Sequence, residues 1–122
     1  MSSIKVKEFA NHIYKTLGPG HSERIYHNAM EVILRKNNIQ YETERIIPIE
    51  FEGHVIGNMR ADLIIENNLI VELKSAKNLN LLMKQQLENY IKLTNIENGI
   101  LVNFPQSLST ECEFVEKNNN II

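Results

Sequence analysis

The chain has 122 residues, 43% hydrophobic and 23% charged, which suits one ordinary soluble globular domain and excludes fibrous and disordered classes. No run approaches about 18 consecutive apolar residues, so no membrane helix is expected, and the mixed-charge N-terminus lacks the apolar core of a signal peptide. A net charge of −2 and a pI of about 6.1 argue against a long basic footprint on nucleic acid. The single cysteine, Cys112, excludes an internal disulfide, and a reducing intracellular compartment, cytoplasmic or nuclear, is expected.

In chain order, Ile4, Phe9, Ile13, Tyr14 and Leu17 recur at helical spacing, and Gly18-Pro19-Gly20 ends that helix. A second helix is predicted over 22–36, with Glu23 in its first turn, where a carboxylate suits the helix dipole. Its apolar stripe reads Ile25, Ala29, Val32 and Ile33, and Asn37-Asn38 closes it. From Gln40 the pattern becomes β-rich: a strand ending at Phe51, a turn at 52–54, a strand over 55–65 and another over 69–75. Connections this short make the three an antiparallel meander. A third helix is predicted over 80–94, capped by Asn78 or Asn80. The apolar run Gly99–Asn103 reads as a strand buried on both faces and parallel to a neighbour, and 112–115 as an edge strand. The order is ααβββαβ with an edge strand after it, an α/β fold of the α+β mixed-sheet kind with flanking helices. One domain over 1–122 is expected, with a loose tail at 117–122.

The stretch RADLIIENNLIVELKSA places Asp62, Glu72 and Lys74 inside apolar runs. A charge there is costly without a partner. Glu72 and Lys74, two apart on a strand, share a face. A two-residue turn at Asn67-Asn68 would put Asp62 on the opposite face. A three-residue loop, Glu66-Asn67-Asn68, pairs Ile65 with Leu69 and sets Asp62 opposite Glu72, with Asn68 taking the left-handed position that closes such loops. Two adjacent carboxylates repel unless a cation lies between them, so the pair suits Mg²⁺ or Mn²⁺ held by oxygen. Lys74 beside them could activate a water or stabilise charge developing on phosphorus. A simple cross-strand ion pair is the alternative.

The D…ExK pattern of Asp62, Glu72 and Lys74 resembles the PD-(D/E)xK nuclease superfamily. Gly20-His-Ser-Glu23-Arg-Ile-Tyr26 is similar to the signature of its GxxExxY branch, and Gln86-Leu-Glu-Asn-Tyr90 resembles the QxxxY motif of its RecB-like nucleases. The matches span about residues 16–104 in the expected order. The resemblance implies a restriction-endonuclease-like core and metal-dependent hydrolysis of phosphodiester bonds in nucleic acid, with DNA the expected substrate. It implies Asp62, Glu72 and the Leu73 carbonyl as metal ligands, with Glu23 as a further ligand. It also implies Lys74 as the catalytic lysine, and Gln86 and Tyr90 as side chains orienting the lysine or a phosphate, with Tyr26 supporting. Two departures stand out: Met83 where relatives often carry histidine, and Ala61 where the superfamily carries proline.

Glu23 and Tyr26 share a helical face, as do Gln86 and Tyr90, while Leu82 and Leu93 suggest burial around Gln86. Ordinary core packing is the alternative for both tyrosines. Arg60, Lys77 and Lys84, with Arg24 and Lys92, could form a phosphate-binding rim, although such residues are usually solvated. His21 and His27 flank Glu23, so either could line the cleft, although surface histidines are more usual, and none of the histidines has zinc-like spacing with Cys112. A catalytically silent nucleic-acid- or protein-binding module is the competing reading, and a homodimer or a larger complex suits so small an acidic chain.

Overall fold

The computed structural model describes residues 2–119. It contains α1 (Ser3–Leu17), α2 (Glu23–Lys36), β1 (Tyr41–Phe51), β2 (His54–Ile65), β3 (Leu69–Lys74), α3 (Leu81–Thr94), β4 (Asn98–Asn103) and β5 (Glu113–Asn118). Each helix starts and stops for a local reason. The Ser2 hydroxyl accepts the Lys5 amide at the head of α1, and Gly18, with φ 74°, donates its amide to Tyr14 O at 2.7 Å to end it. Asn80 caps α3 by accepting the Met83 amide at 2.9 Å. Among the described residues no helix is long and apolar enough to cross a membrane.

The sheet order is β1-β2-β3-β4-β5. The first three strands form the expected antiparallel meander, β4 lies parallel to β3 after the α3 crossover, and β5 pairs antiparallel with β4. Two apolar clusters sandwich the sheet. One joins Leu63, Val71, Leu73, Val102 and Phe104 to α1 and α2. The other joins Ala61, Ile64, Ile70 and Leu101 to Leu87, Tyr90 and Ile91 of α3. The interior of β3 and β4 is buried throughout, as an apolar strand covered by helices on both faces must be. Gly99 permits the close approach of α3, since a Cβ there would lie 2.8 Å from Leu87 Cδ1.

Three expectations need correction. The inward face of α2 is Tyr26, His27, Met30 and Leu34, whereas Ile25 and Val32 of the predicted stripe are 43% and 45% exposed. The Tyr26 ring stacks on Phe104 with centroids 4.2 Å apart, and that sets the rotation of the helix. Leu82 and Leu93 of α3 are likewise exposed, so they do not cover Gln86. Lys117 and Asn118, expected in a loose tail, belong to β5, while residues 120–122 of that tail lie outside the described residues.

The β2–β3 turn has the expected length by a different route. Ile65 pairs with Leu69, Ile64 with Ile70 and Leu63 with Val71. The left-handed residues are Glu66 (φ 50°) and Asn67 (φ 55°), not Asn68. The Asn68 amide closes the turn on Ile65 O at 3.0 Å. Positive φ at both central residues is the type I′ pattern, whose twist matches paired strands.

Candidate active site

The β2–β3 ladder stops at Leu63↔Val71, and the next residues in register are Asp62 and Glu72. Here side chains replace the backbone ladder. The Asp62 amide donates to Glu72 Oε2 at 2.8 Å, and the Leu73 amide donates to Asp62 Oδ2 at 2.8 Å. Strand alternation also slips at this point. Strict alternation would place Ala61 and Leu63 on one face, yet Ala61 packs in the α3 cluster and Leu63 in the α1–α2 cluster. On β1, Thr43 and Arg45 pair with Leu63 and Ala61, so Glu44 falls opposite Asp62, and it has φ 55°. The left-handed Glu44 and the slip at Asp62 are two sides of one distortion.

Glu72 is 3% exposed. Burial, and then the Asp62 charge, hold its carboxyl well above the usual range. Burial also raises Asp62, against the opposing pull of the Leu73 amide and of the His27, Lys74 and Arg24 charges. Glu23, at the start of α2, is raised by partial burial, with Lys74 lowering and Asp62 raising it. The three acids therefore lie within one electrostatic neighbourhood. Glu23, Arg24, His27, Asp62 and Leu73 line a cleft of about 250 Å³.

Lys74 Nζ donates to Gln86 Oε1 at 3.2 Å, tying the end of β3 to α3. The Tyr90 hydroxyl donates to Arg60 O at 2.6 Å, so it clamps the β2 backbone two residues before Asp62. The Tyr26 hydroxyl donates to Gly18 O at 2.6 Å beneath its stacked ring, so it holds the loop before Glu23. Of the five cations expected on a phosphate rim, Arg24 lines the cleft, while Arg60, Lys77, Lys84 and Lys92 are not among its lining residues.

Of the two histidines expected as candidates to line the cleft, His27 is among its lining residues. His27 is 4% exposed, and its Nε2 lies 2.9 Å from Thr43 Oγ1 and 3.0 Å from Glu31 Oε2. The Gly18–Ser22 loop is stitched to the end of β3: Ser75 Oγ donates to His21 O at 2.8 Å, and Gln106 Nε2 donates to Ser75 O at 3.1 Å. Asn103 fixes the same corner, accepting the Ala76 amide at 2.8 Å and donating to Ala76 O at 3.0 Å. The position of His27 beside Glu23 on α2 was its signal in the sequence; Ser75, Asn103 and Gln106 offered none.

The donor set fits a hard divalent cation. Asp62 and Glu72 offer carboxylate oxygens whose ionised forms are poorly compensated by the protein, which is where a cation binds favourably. Among the described residues no three His, Cys, Asp or Glu side chains gather closely enough to hold an ion by themselves.

The model of the family described as the PD-(D/E)XK nuclease superfamily matches residues 2–115. No curated protein matches at a significant level. Among solved structures, the chain is similar to SSO0001, with 32% identity and a TM-score of 0.59 over 79% of this chain and 50% of that one. The chain thus spans about half the length of SSO0001. An alkaline exonuclease (LHK-Exo) from Laribacter hongkongensis matches with 10% identity and a TM-score of 0.42, over 92% of this chain and 78% of that one. The mixed five-stranded sheet between helices is the restriction-endonuclease-like fold.

Proposed function

The chain belongs to the PD-(D/E)XK nuclease superfamily, and from that premise we propose that it is a divalent-metal-dependent nuclease cleaving phosphodiester bonds, in DNA by preference. Nucleases of this superfamily generally use divalent metals. Within it, the Gly20–Tyr26 and Gln86–Tyr90 motifs support the GxxExxY branch and a RecB-like QxxxY ancestry. The observation that carries the reading is the meeting of Asp62 and Glu72 at the end of the ladder, with Lys74 held by Gln86 beside them.

Asp62 and Glu72 would hold Mg²⁺ or Mn²⁺ with the Leu73 carbonyl, and Glu23 would act from the ion's outer shell. The ion, when bound, supplies Lewis-acid polarisation of a phosphate oxygen and a lowered pKa for water. The chain's own groups do the rest. The Leu73 amide holds Asp62 Oδ2, and the Asp62 amide holds Glu72 Oε2, so both carboxylates are oriented before a ligand arrives. Gln86 Oε1 fixes the Lys74 ammonium, which orients the attacking water or stabilises the negative charge growing on the phosphoryl oxygens. Tyr90 holds β2 at Arg60, so that Asp62 keeps its place.

The test is cleavage of single- and double-stranded DNA and RNA with Mg²⁺ or Mn²⁺ by the native chain, beside Asp62→Ala and Lys74→Ala. Cleavage by the native chain alone supports the reading. No cleavage on any substrate, with no metal binding that depends on Asp62 and Glu72, would instead make the chain a silent binding module.

A further inference from the structure

Arg24 of α2 and Glu44 of β1 form an ion pair at the mouth of the cleft. Both side chains are open to solvent, 58% and 36% exposed. A pair so exposed adds little to stability. Yet Glu44 has φ 55° in the middle of β1, a conformation that non-glycine residues adopt rarely and that gathers at functional sites. It also lies opposite Asp62 in the ladder. The distortion that opens the Asp62 site is thus the one that carries the Glu44 carboxylate to Arg24.

The surroundings give the pair a second meaning. Glu23 and Asp62 line the cleft, so a polyanion entering it meets negative charge. Apart from His27, Arg24 is the one basic side chain among the described lining residues. A guanidinium binds carboxylate and phosphate through the same planar fork of N–H donors. In the free chain one limb of that fork, Nη2, already donates to the Glu44 carboxylate of the protein itself.

We propose that Arg24 anchors a backbone phosphate of the bound nucleic acid and that Glu44 is a placeholder which the phosphate displaces. The proposal rests on the nuclease reading of the adjoining cleft. It makes the two residues opposite in sign. Loss of Arg24 removes an anchor, whereas loss of the Glu44 charge removes a competitor. A brace that merely holds Arg24 in place would make both losses weaken binding. Displacement also has a salt signature. In the native chain a phosphate replaces an existing partner of Arg24; without the Glu44 carboxylate it gains a free cation, and one more counterion is released.

The experiment is fluorescence anisotropy of a labelled DNA duplex, its separated strands and the matching RNAs, with Mg²⁺ present. Every chain carries Lys74→Ala, so that bound nucleic acid is not consumed. The expected results are that Arg24→Gln weakens binding roughly tenfold, while Glu44→Gln tightens it roughly threefold and steepens the salt slope by about 1. Glu44→Gly, which suits the left-handed backbone, should bind as tightly as Glu44→Gln and melt no lower than the Lys74→Ala parent. Weakening by Glu44→Gln, or no effect of Arg24→Gln while the parent binds, overturns the proposal and leaves the nuclease reading standing. No binding by any chain, Glu44→Gln included, overturns the nuclease reading and this proposal with it. The duplex, single-strand and RNA arms identify which backbone Arg24 grips.

Discussion

Asp62 and Glu72 are joined by the backbone as well as by charge: the Asp62 amide donates to Glu72 Oε2 at 2.8 Å, while Asp62 Oδ2 takes the amide of Leu73, the residue after Glu72. Each carboxylate thereby satisfies an amide that the interrupted ladder leaves without a strand partner. The pair is at once a structural seam and a site for a cation, and the two roles make different demands. The seam needs oxygen acceptors, whereas the cation needs negative charge.

That difference separates fold from function in one substitution. Glu72→Gln keeps an acceptor for the Asp62 amide and removes a charge that burial and Asp62 both oppose. In EDTA the variant should be more stable than the native chain by about 1 kcal/mol or more, roughly 4 °C in melting temperature for a domain of this size. With Mg²⁺ it should lose both metal binding and cleavage. Calorimetry with and without the ion checks both halves, and a lower melting temperature in EDTA would show that the charge itself holds the seam.

The same pair sets a pH dependence. The Asp62 and Glu72 carboxyls are raised above their ordinary values of 3.8 and 4.5, so the folded chain binds these protons more tightly than the unfolded one. This contribution to stability is fully present below the ordinary values and is lost as pH rises through the folded ones. The metal-free chain should therefore lose stability as pH rises above the ordinary carboxylate values, relative to the Asp62→Asn, Glu72→Gln double variant. Mg²⁺ should narrow that gap at the upper end. Parallel melting curves for the two chains would count against the raised values.

Lys74 and Gln86 should separate chemistry from binding. Lys74→Ala is expected to lower single-turnover cleavage by about 100-fold or more with metal affinity retained, the size of effect seen when a charge-stabilising donor is lost. Gln86→Ala frees the ammonium held at 3.2 Å and should lower the rate by roughly 10-fold, because Lys74 is still present but no longer oriented. Single-turnover rates with metal titration by calorimetry test this; equal losses in metal affinity and rate would place both residues in metal binding.

The turn that brings the carboxylates together is testable without any substrate. Asn67 has φ 55° at the second central position of the turn. Asn67→Gly should leave stability unchanged or raise it by up to about 1 kcal/mol, and Asn67→Val should lower it by roughly 1–2 kcal/mol, because a β-branched side chain opposes positive φ. Urea unfolding measures both. Equal effects would mean that the turn is not under conformational selection.

Cys112 offers a reporter of unfolding. It is 7% exposed, its thiol faces Ala10 O at 3.5 Å, and burial with the Glu111 charge pushes it up to about 12. Alkylation at pH 8 should be slow in the folded chain and become fast across the denaturation transition. Fast labelling of the native chain would show that the C-terminal segment opens away from α1.

The elements and their connections were legible in the sequence because they rest on local signals. Apolar periodicity marked α1, α3 and the strands, and the spacing from Asp62 to Glu72 permitted the turn that pairs Ile65 with Leu69, which the folded sheet adopts. The contact of Lys74 with Gln86 was foreseeable from motifs on successive elements. Tertiary packing decided the rest. The buried face of α2 depends on the Tyr26–Phe104 stack, whose members are far apart in the chain. The turn placed its left-handed residues at Glu66 and Asn67 because strand twist favours type I′ geometry, a demand of the paired strands that Asn68 alone did not announce. The slip at Asp62, the left-handed Glu44 opposite it, the buried His27 and the Arg24–Glu44 pair all arise where two sheet faces and a helix meet. Residue types and short spacings placed two acids and a lysine on neighbouring strands and allowed the turn that brings them together. How the carboxylates are held, and which cation faces them, followed from contacts that exist only once the sheet has closed.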